Sequence, residues 1–269
     1  MAYVDATVFR ALRYKPDAPV LPNLRVLSWN SSNCTEPDLR LLLTTNLLEF
    51  LSAKACPAMI VSLKQTCPRL RKLDILTHYP LGPDFISSLS DLVVQLPSLE
   101  IIRSPVALTN DAIVHLSMLP NFKQLQIPND AVDLLRVHEA DASHPMFSTL
   151  VVLDTDGHDL ISVVSLLPQC RPKELIALIL HNVPEQTQGV ERLFIELAIC
   201  CSHDAFQSIS FRTQSDRSNL NPVSPPLFPV RVLIHLFVFR GLWNWTFDLS
   251  FDLDESRWRP AGQGCGRWS

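Results

Sequence analysis

The sequence predicts an α/β solenoid: a curved sheet of parallel strands with outer helices, followed by an irregular C-terminal tail. Three observations predict it. A phrase recurs with altered wording, as Leu21-Pro-Asn-Leu-Arg-Val-Leu-Ser-Trp29, Cys67-Pro-Arg-Leu-Arg-Lys-Leu-Asp-Ile75, Leu96-Pro-Ser-Leu-Glu-Ile-Ile-Arg-Ser104 and Leu119-Pro-Asn-Phe-Lys-Gln-Leu-Gln-Ile127. Weaker copies fill the gaps, starting at Leu47, Phe147, Leu175 and Phe206. The segments between copies carry helical rather than alternating apolar patterns.

The first large apolar residue of each copy falls at 24, 47, 70, 99, 122, 147, 175 and 206, giving separations of 23, 23, 29, 23, 25, 28 and 31 residues. That is leucine-rich-repeat spacing, looser toward the C-terminal end. Each phrase is one short strand, too small to bury its own apolar side, so it stacks on the strand of the next copy. The leucine-type positions then point inward by strand alternation and the residues between them point out.

The connectors are expected to return the chain as short helices. Met59 to Gln65, Phe85 to Leu96, Asn110 to Met118, His158 to Leu167 and Gly189 to Cys201 fit, with Ile113, Leu116 and Leu119 on one stripe and Thr109 or Asn110 as N-cap. Pro68, Pro97, Pro120 and Pro168 punctuate four connectors, since proline cannot continue a helix and biases the residue before it toward extended backbone.

Four units are expected: residues 1–20 as an N-terminal helix or linker, 21–212 as the solenoid, 213–229 as a Pro/Ser-rich linker and 230–269 as an atypical segment. Trp243, Trp245, Trp258 and Trp268 and four of the seven glycines crowd into this last segment, which shows no further phrase with its proline. It is either a cap over the last apolar layer or a tail foreign to the fold. At the other end, the first repeat is expected to expose Leu24 and Leu27.

A net charge of -4 argues against a nucleic-acid partner. The longest apolar run, Val230 to Trp245, is broken by Arg231, His235 and Arg240 and is shorter than the roughly 20 residues of a membrane span, so no membrane partner is expected. No secretory signal is visible in the first thirty residues. The seven cysteines lack C-x-x-C spacing and read as small buried hydrophobes, which suits a reducing cytoplasmic or nuclear compartment.

Residues 17 to 29 and Cys67-Pro-Arg-Leu-Arg-Lys-Leu73 resemble the leucine-rich-repeat region of F-box proteins, particularly the large sets of mushroom-forming fungi; the resemblance spans roughly residues 17 to 212. It implies a non-catalytic interaction module that holds the substrate of a ubiquitin ligase, while a helical F-box docks on a Skp-type adaptor. Residues 1 to 16 are too few for a three-helix F-box, so adaptor binding is expected only if such a module lies upstream. The alternative is a free-standing repeat scaffold with no ligase role.

The expected partner surface is the concave strand face, through Lys72, Asp74, Arg103, Gln124 and Gln126, because polar groups converging on a curved wall fix a ligand's orientation. The flanking positions of the second and sixth phrases are read as Glu49, Leu51, Thr149 and Val151. No catalytic residue, metal ligand or cofactor is expected. Asp154-Thr-Asp-Gly-His-Asp159 begins like a calcium loop, but its glycine comes too early and Ser165 stands where the closing glutamate belongs. His78, His138, His144 and His181 have no metal-ligand spacing. Gly262-Gln-Gly-Cys-Gly266 precedes no helix that could hold a phosphate.

Overall fold

The structure is a computed structural model that describes residues 21, 23–29, 46–55, 57–76, 81–127, 147–156, 160–170, 172, 174–181, 187–212 and 234–248. Its strands are β1 (Val26–Trp29), β2 (Phe50–Lys54), β3 (Lys72–Leu76), β4 (Ile101–Arg103), β5 (Gln124–Ile127), β6 (Val152–Asp156), β7 (Ala177–His181), β8 (Ser208–Arg212) and β9 (Asn244–Asp248). They form one nine-stranded sheet whose spatial order is the chain order, with every neighbouring pair parallel. The helices are α1 (Pro57–Thr66), α2 (Pro83–Val94), α3 (Asn110–Met118), α4 (Leu160–Cys170) and α5 (Thr187–Cys200). Right-handed crossovers that always step in the same direction along a sheet put such helices on one face and leave the other open.

A recurring turn explains the phrase. The N–H of Leu24, Leu70, Leu99, Phe122, Leu150, Leu175 and Leu242 donates to the carbonyl three residues earlier, over 3.0 to 3.4 Å. Pro68, Pro97 and Pro120 each occupy the second position of this turn, where a fixed φ near −65° is already correct. The carbonyl of the next residue then accepts two N–H groups from the following layer: Arg25 takes Glu49 and Phe50, Glu49 takes Arg71 and Lys72, and Arg71 takes Glu100 and Ile101. Each layer thereby sets the height of the next.

This frame corrects two phrases. Leu27, Leu51, Leu73, Ile102, Leu125, Leu153, Leu178 and Ile209 stand in register, so the second phrase starts at Leu48, not Leu47, and the sixth at Leu150, not Phe147. Leu48 is buried while Leu47 is half-exposed. Phe147 opens the turn, with φ at 54° in the left-handed region; its ring is buried against Phe122, centroids 5.8 Å apart.

The core lies between the sheet and the helices. Leu51, Leu73, Ile102, Leu125, Leu153, Leu178 and Ile209 are buried and join one cluster with Leu89, Leu92, Ile113, Leu116, Val163, Leu193 and Leu197 of the helices. Full burial of one such side chain contributes about 1.5–3 kcal/mol. Leu24 and Leu27, expected to be exposed, are half-buried and packed against this cluster.

All five expected helices form, with ends shifted by a few residues except at α3, whose bounds match. Thr109 is its N-cap residue by backbone geometry, without a side-chain cap bond; its N–H donates instead to Ser90 Oγ on α2 at 2.9 Å. Pro168 does not end its connector: it lies inside α4, and the turn before Leu175 opens at Pro172.

The sheet continues past residue 212. A short 3-10 helix, Ile234–Val238, leads into β9, and Leu236 and Phe239 are buried. Phe239 packs on Phe206 and His203, with centroids 4.8 and 5.4 Å away. Gly241 sits where a Cβ would lie 2.7 Å from the Asp204 carbonyl oxygen, so only glycine lets the last turn approach the preceding layer. Residues 234–248 thus form a further layer of the sheet. The expected segments 1–20 and 213–229, and residues 249–269, lie outside the described residues.

Candidate functional site: the open face of the sheet

Two rows of side chains cross the open face. The residues beside the central leucine of each strand alternate to the side away from the core and are half-buried or exposed over β1 to β5. The first row runs through Phe50, Lys72, Ile101, Gln124 and Val152, the second through Ser52, Asp74, Arg103, Gln126 and Asp154. Adjacent members are about 4.8 Å apart along the sheet. All five predicted residues, Lys72, Asp74, Arg103, Gln124 and Gln126, therefore come together on three neighbouring strands.

The corrected frame changes their neighbours. Phe50 and Ser52 replace Glu49 and Leu51, and Val152 and Asp154 replace Thr149 and Val151. Leu51 is a core residue. Thr149 belongs to the turn before β6 and donates from Oγ1 to the Phe122 carbonyl at 2.8 Å.

Several of these groups already have partners. Ser52 Oγ donates to Asp74 Oδ2 at 3.2 Å, and Lys72 Nζ lies 4.5 Å from the centre of the Phe50 ring, a cation–π contact. His181 at the end of β7 has Nε2 2.8 Å from Asp154 Oδ1. Asp154 is 8% exposed, so this bond satisfies a carboxylate with little access to water.

Other groups on this face have none. Among the described residues, the side chains of Arg103, Gln124 and Gln126 make no hydrogen bond or ion pair, and the Arg103 Nε is shielded from solvent without an acceptor. Ser210, in the second row on β8, likewise has a buried hydroxyl with no partner.

The strand starts, by contrast, are internally neutralised. Arg25 and Glu49 lie 3.5 Å apart; Arg71 Nε donates to Glu100 Oε1 at 2.7 Å; Lys123 stands 3.8 Å from the other Glu100 oxygen. These charges alternate in sign along successive layers and are consumed in holding them together.

The arrangement suits recognition through hydrogen bonds and charge. Among the described residues no group of three His, Cys, Asp or Glu side chains could hold a metal ion. Asp154 and Asp156 of the calcium-loop-like stretch lie in β6, while Gly157 to Asp159 lie outside the described residues, as do His78, His138, His144 and Gly262 to Gly266. Among the described residues no helix is long and apolar enough to cross a membrane.

Among the described residues Cys67, Cys170 and Cys201 are buried and form no disulfide, as expected for small hydrophobes, and Cys200 is half-buried. Burial, with Cys201 and Cys200 nearby, pushes the Cys170 thiol far above its ordinary range. Burial and then Cys200 push Cys201 up to about 12.

Sequence reasoning missed Asp154 and His181 as a pair on this face. The signal was present in Leu150-Val-Val-Leu153-Asp-Thr155, which carries the repeated frame once Phe147 is assigned to the turn.

Comparison of the chain with protein-family models and with curated proteins gives no match.

Proposed function

We propose that this chain is a leucine-rich-repeat interaction module that binds a protein partner on the open, concave face of its sheet. Its role on this reading is to receive the substrate of an F-box-type ubiquitin ligase. The supporting observation is the juxtaposition of Arg103, Gln124 and Gln126, three donor-bearing side chains on adjacent strands with no partner among the described residues. Unsatisfied donors on an otherwise regular scaffold suit a binding surface. The ligase role rests on the resemblance of the repeats to the F-box set.

Two measurements test it. A photo-crosslinking residue placed at Gln126 traps a protein that the same residue at Met118, exposed on α3, does not; equal trapping at both positions contradicts a partner surface on the open face. For the ligase role, the tagged chain and a form extended upstream to the nearest in-frame start are each mixed with the Skp-type adaptor. Capture by the extended form alone supports it, and capture by neither moves the reading to a free-standing scaffold.

A further inference from the structure

We infer that this chain associates head to tail with a second copy of itself, the outer edge of β1 in one molecule continuing the sheet beyond β9 of another. This goes beyond the proposed function and leaves the open face free, since the two sheets join end to end.

The backbone supplies the match. From Arg25, whose carbonyl takes Glu49 and Phe50, to Gln207, whose carbonyl takes Trp243 and Asn244, each layer offers one carbonyl to two N–H groups of the next. Repetition of this step leaves unlike groups at the two ends. Among the described residues no strand precedes β1, and the N–H groups of Arg25 and Val26 have no acceptor; none follows β9, and the Trp243 carbonyl has no donor. Docking β1 of one copy on β9 of another brings those two donors to that carbonyl, with every strand still parallel. Pairing of like ends sets donors beside donors or acceptor beside acceptor at this point.

The side chains of the end layers are unfinished in the same way. Leu21 opens the first turn at 40% exposure, whereas Leu96 in the same place is 2% exposed. Leu24 and Leu242 are half-buried, while Leu99 at the equivalent position is buried; Leu27 is half-buried, while its register partner Leu51 is buried. Each end layer thus keeps one side of its core against water, and a neighbouring layer completes the burial. Continuing the register of β8 and β9 puts Val26 of the added copy beside Asn244 and Arg25 beside Trp243. Trp243 is 75% exposed and the Arg25 side chain is exposed too, so a cation–π contact is available at the junction. Neither edge strand carries the usual guards against such pairing: β1 is Val-Leu-Ser-Trp and β9 is Asn-Trp-Thr-Phe-Asp, without proline or lysine. Joining unlike ends leaves a free edge at each end of the pair, so growth does not stop at two.

The test is sedimentation velocity on the full chain between about 1 µM and about 1 mM. The sedimentation coefficient is expected to rise with concentration and to pass the value for a dimer. V26P removes an outward N–H at the β1 edge, and W243R places a cation opposite Arg25 at the β9 edge; each alone is expected to associate at least about tenfold more weakly. Mixed, the intact β9 of V26P and the intact β1 of W243R are expected to form a one-to-one dimer that grows no further. M118R makes the same kind of change on exposed α3 and is expected to associate as the parent does. L21E blocks the β1 end at an exposed position and serves if V26P loses the parent's circular dichroism. A parent that stays monomeric throughout, an equal loss in M118R and W243R, or a mixture that stays monomeric would overturn the inference. So would one blocked variant that still dimerises alone as tightly as the parent, since that means pairing of like ends.

Discussion

His181 and Asp154 meet diagonally across β7 and β6, Nε2 to Oδ1, at 2.8 Å. The register partner of His181 is Asp156, so the ring reaches back along the neighbouring strand to a carboxylate that is 8% exposed. His181→Ala strands that carboxylate and is expected to cost about 1–3 kcal/mol, the penalty of an unsatisfied buried polar group. Urea unfolding of H181A beside D154N/H181A checks it: the double variant, with no charge left to strand, recovers part of the loss.

Thr155 is the opposite case. It faces the core, 1% exposed, and its hydroxyl has no partner among the described residues. Thr155→Val removes an unsatisfied group at nearly constant shape and is expected to stabilise the fold by about 1 kcal/mol. A lower urea midpoint for T155V than for the parent would contradict this.

The cysteines between α4 and α5 give a pH dependence. Folding raises the Cys170 and Cys201 thiols above the ordinary value of 9.0, Cys201 to about 12. Between these values the unfolded chain has lost protons that the folded chain retains, so stability falls as pH climbs above 9.0. Below that, both states are protonated and the effect vanishes. C201A is expected to flatten the alkaline limb of stability against pH. Iodoacetamide at pH 8 is expected to label Cys170 and Cys201 far more slowly in the native than in the urea-unfolded chain, read by mass spectrometry.

Gly241 tests whether the last layer belongs to the fold. A methyl group there lies 2.7 Å from the Asp204 carbonyl oxygen and 3.2 Å from that of Phe206. Gly241→Ala is therefore expected to loosen β9 from β8, at a cost of about 1–3 kcal/mol by overpacking. Hydrogen exchange should then quicken in residues 208–212 and 244–248. Unchanged protection in G241A would mean that the layer is not held there.

The repeats were most legible where proline marks them. Pro68, Pro97 and Pro120 place the turn, and the strands after them follow in frame. Frame was lost where that mark is missing. Leu47 and Leu48 are adjacent leucines, and pattern alone does not say which is inside. Phe147 has Leu150 and Val152 behind it at strand spacing, so a turn residue imitates a phrase. One such shift hid Asp154 and, with it, the partner of His181. The ninth layer was hidden by substitution: Arg240 stands at the second position of the turn, where other layers carry proline, and Trp245 occupies the register position held by Ile209 in β8. The predicted set on β3, β4 and β5 was readable because three well-marked phrases carry it. That Asp74 and Asp154 are both engaged while Arg103 is not depends on side-chain directions that spacing does not encode.

The central claim is that nine strands stack in chain order and present their intervening residues on one face. Nitroxide labels at Lys72, Gln124 and Ser208, taken in pairs, measure this directly. In register these positions lie on β3, β5 and β8, so backbone separations of about 10 Å for 72–124 and about 24 Å for 72–208 follow from the strand spacing, less any shortening by curvature. Strong dipolar broadening in the first pair and a single longer distance in the second are the expected result. A 72–208 distance as short as the 72–124 one, or a broad distribution in both, would contradict the stacked order.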